Sequence, residues 1–160
     1  MNERAYLCLG ANLGEPRETL HRAAGLLEQA GLTISRRSAF YRTPPWGPVP
    51  QPDYVNQVLE VFSPLRPRDL LVLALKVERL LGRDRAREER YGPRCIDIDI
   101  LLFGEESVSE ADLVLPHPRL LERAFALVPL TEIAPDIVVA GVKAVAALER
   151  LDRSGIERLP

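Results

Sequence analysis

Lysine is nearly missing from this chain: Lys76 and Lys143 are the only two among 21 basic residues, and the rest are arginine. Neither sign of charge dominates, because 23 acidic residues leave a net charge of −2. That balance argues against a generic nucleic-acid or polybasic membrane binder. An anion site has to come from local clusters of arginine, whose planar fork suits phosphate oxygens. Cysteine is equally scarce. Cys8 and Cys95 lie far apart in apolar segments without metal-ligand spacing, and two buried free thiols are expected rather than a disulfide. Two histidines, His21 and His117, leave no Ser/His/Asp arrangement of recognisable spacing. His21 is expected on the solvent side of a helix and His117 in a proline-flanked turn. No apolar run approaches the ~20 residues that cross a bilayer. Met1-Asn2-Glu3 leads into the first apolar run without a basic region or cleavage site. No signal peptide is therefore expected, and the location is expected to be cytoplasmic.

What the chain does have is enough apolar residue, 46% over 160 positions, for one domain spanning 1–160 with its own core. Ala5 to Leu9 is a short apolar run closed by Gly10, and predicts a buried strand. Pro16 opens a helix whose apolar positions Leu20, Ala23, Ala24 and Leu27 recur at helical spacing before Gly31. Leu32 to Tyr41 predicts an extended segment. Five prolines within the eleven residues Thr43 to Asp53 demand a stiffened loop. Tyr54 to Phe62 is a strand. Pro67 to Gly82 is a second amphipathic helix with Leu70, Leu71, Ala74, Val77 and Leu81 on its core stripe. A charged loop, 83–94, leads into a strand at Ile96–Leu102. Turns over 103–118, short helices near Leu120–Arg123 and Val128–Ile133, and a last helix from about Val142 follow. This β-α-β-β-α-β order predicts an α+β, ferredoxin-like sandwich, an antiparallel sheet with two helices on one face and a C-terminal extension. Because many functions share that fold, function has to be read from the site.

Asp97 and Asp99 are the sharpest local feature. Two apart on a strand, they emerge on one face, while Ile96, Ile98 and Ile100 point to the other. Two like charges side by side repel unless something positive lies between them. Hard oxygen ligands of this kind suit Mg²⁺ together with substrate phosphates; ion pairs with nearby arginines or a solvated strand face are the alternatives. Just upstream, Arg83, Arg85, Arg87, Arg90 and Arg94 fall within twelve residues. Forked guanidiniums of this density are what a phosphoryl-type transition state needs, although Asp84, Glu88 and Glu89 interleave them. Gly10-Ala11-Asn12-Leu13-Gly14 lacks the lysine of a P-loop, so a nucleotide would be held by metal and arginine.

At this point the sequence resembles the 6-hydroxymethyl-7,8-dihydropterin pyrophosphokinases of folate biosynthesis. Arg90-Tyr91-Gly92-Pro93-Arg94-Cys95-Ile96-Asp97-Ile98-Asp99-Ile100-Leu101 matches the family's signature. Phe40 to Pro45 with Gln51 to Asn56 matches its pterin-side segment, and Leu9 to Gly14 its opening turn. Pro116-His117-Pro118, Arg123-Ala124-Phe125 and Pro129 to Pro135 match its C-terminal part. The matches run in order from about residue 5 to 136.

The resemblance implies transfer of the β,γ-pyrophosphate of ATP to the pterin hydroxymethyl group, with AMP released. It implies two Mg²⁺ ions held by Asp97 and Asp99, catalytic roles for Arg83 and Arg94 with these aspartates, and ATP contacts from Glu78, Arg85, Tyr91, Arg94, Ile100, His117 and Arg123. Thr43, Pro44, Trp46, Tyr54, Asn56 and Phe125 would form the pterin pocket, Asn56 reading the ring edge and Tyr54 and Phe125 offering aromatic faces. It further implies a monomer that acts on two small molecules, with no nucleic-acid or membrane partner. Leu75, where relatives can carry glutamine, Tyr91, where tryptophan is common, Pro118 and a one-residue longer arginine loop depart from the pattern. A two-metal phosphohydrolase and a non-catalytic ferredoxin-like effector module are the competing readings. A flat-ring pocket speaks against the first, and the absence of a basic sheet face with an RNP-like strand against an RNA-binding version of the second.

Overall fold

Strand β1 (Glu3–Ala11) carries apolar side chains on both faces, and this makes it the middle of the sheet. Ala5, Leu7, Leu9 and Ala11 enter one core, and Tyr6 and Cys8 enter another on the opposite face. The computed structural model describes residues 2–160. After β1 come α1 (Pro16–Gln29), β2 (Thr33–Arg37), β3 (Tyr41–Thr43), β4 (Tyr54–Ser63), α2 (Pro67–Leu80) and β5 (Asp97–Phe103). Both long helices open on a proline, where the missing N–H costs no hydrogen bond. Their apolar stripes, Leu20, Ala23, Ala24 and Leu27 on α1 and Leu70, Ala74 and Val77 on α2, cover the first core face.

The sheet is antiparallel throughout. β1 pairs with β4 on one side and β5 on the other, and β2 and β3 follow one another along the far edge of β4. The chain is ferredoxin-like in this order. The segment expected to be extended from Leu32 to Tyr41 breaks at Ser38–Phe40. Ser38 keeps the break attached: its N–H donates to the Val58 carbonyl at 2.9 Å and its hydroxyl accepts from the Val58 N–H at 2.9 Å. A side chain thus satisfies β4 where the ladder lapses.

The remaining third of the chain adds to the first core through Leu113 and Leu115 and builds the second face with its helices. A hairpin of β6 (Val108–Glu110) and β7 (Leu113–Leu115) lies within the expected turn region. A 3-10 turn at Leu120–Glu122 precedes α3 (Ala124–Ile133). This helix starts four residues before the expected Val128, because Pro129 forfeits only the bond to the Phe125 carbonyl, near the helix start. β8 (Val138–Val139) and β9 (Val142–Lys143) form a small hairpin before α4 (Ala144–Glu149), and β10 (Glu157–Arg158) adds an edge strand beside β3. Leu127, Leu130, Ala144 and Leu148 close over Tyr6, Cys8, Val58 and Leu101. The sheet therefore has helices on both faces, not only the one expected from α1 and α2. No helix among the described residues is long and apolar enough to cross a membrane.

Candidate active site

The register of three strands sets out the floor of the site. Gly10 of β1 lies opposite Asn56 of β4 on one side and Asp97 of β5 on the other, and Cys8 lies opposite Asp99. Neighbouring strands are about 4.8 Å apart, so Asn56 and Asp97 flank a gap of two strand spacings. Gly10 supplies no side chain to fill it. A Cβ there would stand 2.5 Å from Asn56 Oδ1, which explains a glycine inside a buried strand. Asn56 is itself fixed, donating from Nδ2 to Thr43 Oγ1 at 2.5 Å.

A cavity of about 130 Å³ opens on this floor. The pterin-side set Thr43, Pro44, Trp46, Tyr54, Asn56 and Phe125 lines it together with Asp97, Asp99, Arg94, Arg123 and Tyr91. Trp46 and Phe125 meet edge to face, with centroids 6.0 Å apart. Arg123, just before α3, lies 5.7 Å from the Trp46 centroid and 5.5 Å from that of Phe125, with a nitrogen 3.9 Å from Asp99. Its Nε is buried and lacks a hydrogen-bond partner among the described residues.

Asp99 is electrostatically uncomfortable. Burial, then repulsion from Asp97, holds the Asp99 carboxyl far above the usual carboxylate range, and Arg123 relieves this only in part. Asp97 is neutralised from below by Arg83, whose Nη1 lies 2.9 Å from Asp97 Oδ1. Among the described residues no group of three or more His, Cys, Asp or Glu side chains surrounds a metal-sized point. Two strand carboxylates, one of them strained by its charge, fit a hard cation that brings its own phosphate and water ligands.

Three loops meet over the cavity through Asn12. Its side-chain NH₂ donates to Gln51 Oε1 at 2.8 Å and the Pro52 carbonyl at 2.9 Å, and its Oδ1 accepts from Arg94 N–H at 2.9 Å. Gln51 donates in turn to the Tyr91 carbonyl at 2.5 Å, and Tyr54 to the Gly92 carbonyl at 3.0 Å. Gly47 (φ 97°) lies against Tyr91, where a Cβ would sit 2.8 Å from the tyrosine Cβ. Sequence reasoning placed Gly10 and Asn12 only within a matching turn. Glycine inside an apolar strand was the available sign for Gly10, whereas nothing local marks Asn12 as a hub.

A family model described as 7,8-dihydro-6-hydroxymethylpterin-pyrophosphokinase matches residues 6–135. The chain belongs to this family. It is 48% identical over 160 residues to the 2-amino-4-hydroxy-6-hydroxymethyldihydropteridine pyrophosphokinase of Methylorubrum extorquens, covering 98% of each chain. To the enzyme of that name from Bacillus subtilis it is 42% identical over 138 residues, covering 86% of this chain and 81% of the relative. Its fold matches the wild-type HPPK-DHPS of Plasmodium falciparum with a TM-score of 0.71 at 15% identity, over 94% of this chain. This chain spans 41% of that longer protein.

Not every residue to which the family resemblance gives a role lines the cavity. Arg83 is buried in a cage of carboxylates: Glu88 at 2.7 Å, Asp97 at 2.9 Å and Glu78 at 3.1 Å. It reaches the site through Asp97. Arg94 lines the cavity, but its Nη1 donates to the Gly92 carbonyl at 2.6 Å and its Nε lies 3.3 Å from Glu88. In this conformation Glu78, Glu88 and Asp97 hold the Arg83 guanidinium, and Glu88 with the Gly92 carbonyl holds that of Arg94. Glu78, 2% exposed, accepts from Ile98 N–H at 2.8 Å and from Arg85 at 2.8 Å. Burial raises its pKa even though the Ile98 amide and Arg83 favour the ionised form. It pins β5 midway between the two aspartates.

Glu78, Arg83 and Arg85 line a separate groove of about 500 Å³ with Leu75. Tyr91, expected on the adenosine side, lies in the first cavity against the proline loop. Ile100 points into the core under α1 and α2, so only its backbone is open to a ligand. His117 lines neither cavity. Burial, followed by the Arg123 charge, lowers its pKa to about 4, and its Nδ1 accepts from Arg119 N–H at 3.2 Å. A neutral imidazole with the proton on Nε2 can donate one hydrogen bond, but adds no positive charge.

Proposed function

We propose that this chain transfers the β,γ-pyrophosphoryl group of ATP to 6-hydroxymethyl-7,8-dihydropterin and releases AMP, as a step of folate biosynthesis. The observation that carries the reading is the slot over Gly10, with Asn56 on one side and the Asp97–Asp99 face on the other. A flat ring that enters between Trp46, Tyr54 and Phe125 meets Asn56 at its polar edge. Its hydroxymethyl group then points across Gly10 towards the carboxylates. The hydroxyl oxygen attacks the β-phosphorus, the bond from that phosphorus to the α–β bridging oxygen breaks, and the hydroxyl proton leaves to solvent.

Asp97 and Asp99 are the residues that would hold two Mg²⁺ ions, which screen triphosphate charge and polarise the attacked phosphorus. The chain's own part is positioning and charge. Asn56, held by Thr43, orients the ring. Arg123, with its unpartnered Nε, supplies a cation between the aromatic wall and Asp99. Arg94 serves the phosphates after exchanging Glu88 for the triphosphate, and Arg83 acts through the Asp97 carboxylate it holds, with Glu78, Arg85, Tyr91, His117 and the Ile100 backbone contributing on the nucleotide side. The protein works as one monomeric cytoplasmic domain, with Cys8 and Cys95 as the free thiols they are in the structure.

The purified protein, mixed with ATP, Mg²⁺ and 6-hydroxymethyl-7,8-dihydropterin, is expected to form AMP and pterin diphosphate in equal amounts. ADP formation, or phosphate release that ignores the pterin, would contradict the assignment.

A further inference from the structure

Thr43, the last residue of β3, and Pro44 just after it form part of the proposed pterin wall; β3 is tied to α3 by the Tyr41 hydroxyl, which donates to Glu132 at 2.6 Å, and to β4 by Asn56. β3 is three residues long and pairs with β4 only through Tyr41↔Asn56, Arg42↔Val55 and Thr43↔Tyr54. The proline loop follows at once. On the opposite edge of β3 lies β10, with Glu157 opposite Arg42 and Arg158 opposite Tyr41. Leu159 N–H extends the pairing to the Phe40 carbonyl at 2.8 Å.

The turn before β10 rests on the wall itself. Gly155 has φ 80°, and a Cβ there would stand 2.8 Å from Pro44 Cγ. Ile156 packs into the second core, which anchors the segment from below. Arg17 of α1 stacks over the Phe40 ring at 5.3 Å and donates to the Pro160 carbonyl at 2.5 Å. The Arg42–Glu157 pair at 3.1 Å is half exposed on both sides and contributes little. Backbone pairing and the Gly155–Pro44 contact hold the segment in place.

We propose that residues 155–159 form a strap that positions the Thr43–Trp46 wall, and that they are positioning residues for the pterin half of the site and not for the nucleotide half. This rests on the pterin reading above. None of the strap lines the cavity, so it acts through Pro44 and β3. Asp97, Asp99 and the groove beside Glu78 belong to other elements and are untouched by it. An edge strand that merely protects a sheet from pairing elsewhere would show no preference between the two substrates.

Two variants disturb the strap by independent routes. Leu159→Pro removes the N–H that pairs with Phe40, and Gly155→Val drives a side chain into Pro44 from a backbone conformation that valine resists. Both are measured well below their melting temperatures, beside wild type. Trp46 is the chain's only tryptophan, so acrylamide quenching of its fluorescence reports the wall without any substrate. Quenching is expected to rise in both variants. The pterin KM is expected to rise about tenfold, with the ATP KM and kcat within about twofold of wild type. Unchanged quenching and pterin KM in both variants would overturn the strap, as would a parallel loss for both substrates. Wild type that transfers no pyrophosphoryl group would overturn the pterin reading instead, and Trp46 quenching would still decide whether the strap holds the wall.

Discussion

Gly10 and Glu78 illustrate how differently single residues serve this site. Gly10 acts by lacking a side chain: its neighbours across the ladder are Asn56 and Asp97, and any Cβ meets Asn56 Oδ1. Gly10→Ala is expected to displace Asn56 and reduce turnover on the order of 100-fold, with a circular dichroism spectrum like that of wild type. Wild-type turnover in this variant would show that the slot is not the reaction site. Glu78 acts by being charged where charge is costly. It compensates buried Arg83 and fixes the Ile98 amide. Removing one partner of a buried pair strands the other, so Glu78→Ala is expected to lose about 3–5 kcal/mol of stability in denaturant titration. A loss below about 1 kcal/mol would indicate that Arg83 finds sufficient charge in Glu88 and Asp97.

At the level of elements, Glu60 of β4 does for the far end of the sheet what Asn12 does for the loops. Burial raises its pKa, but hydrogen bonds from Tyr6 at 2.6 Å and Ser35 at 2.8 Å, with Arg4 and Arg36 nearby, bring the net position below the ordinary value of 4.5. A depressed folded-state pKa stabilises the native state above 4.5 and loses that contribution as pH falls through the folded value. Glu60→Gln is thus expected to lower the melting temperature near neutral pH and to converge with wild type below pH 4.5. A constant offset across that range would contradict the linkage.

Elements were also the most legible level in the sequence. Proline-opened helices, the apolar run of β1 and the Asp-Ile alternation of β5 are local patterns, and the structure has them within a residue or two. The break at Ser38 and the pairing of β10 depend on partners far along the chain, which periodicity does not encode.

Over the whole molecule, the sheet separates an all-apolar face from the face that carries the candidate site. One face, under α1 and α2, holds an unbroken apolar core. The other is shared between the α3–α4 core and the polar floor of the cavity. The candidate site was legible as a set of residue types, because paired aspartates and an arginine loop are unusual enough to stand out. Their connections were not: Glu88 lies five residues from Arg83 and quenches it, while Asn12 reaches Gln51 and Arg94 from a different loop. The Asn12 links exist only once the strands align.

On the proposed reading, the Asp97–Asp99 face is where a divalent cation and the pyrophosphoryl group meet the pterin slot. The most direct test titrates Mg²⁺ into wild type, Asp97→Asn and Asp99→Asn while following AMP formation, and follows pterin binding by Trp46 fluorescence in parallel. Wild type is expected to show saturable Mg²⁺-dependent turnover, and either variant a loss on the order of 1,000-fold, with pterin still altering Trp46 emission in both. Turnover that survives in both variants, or that needs no divalent cation, would contradict that reading.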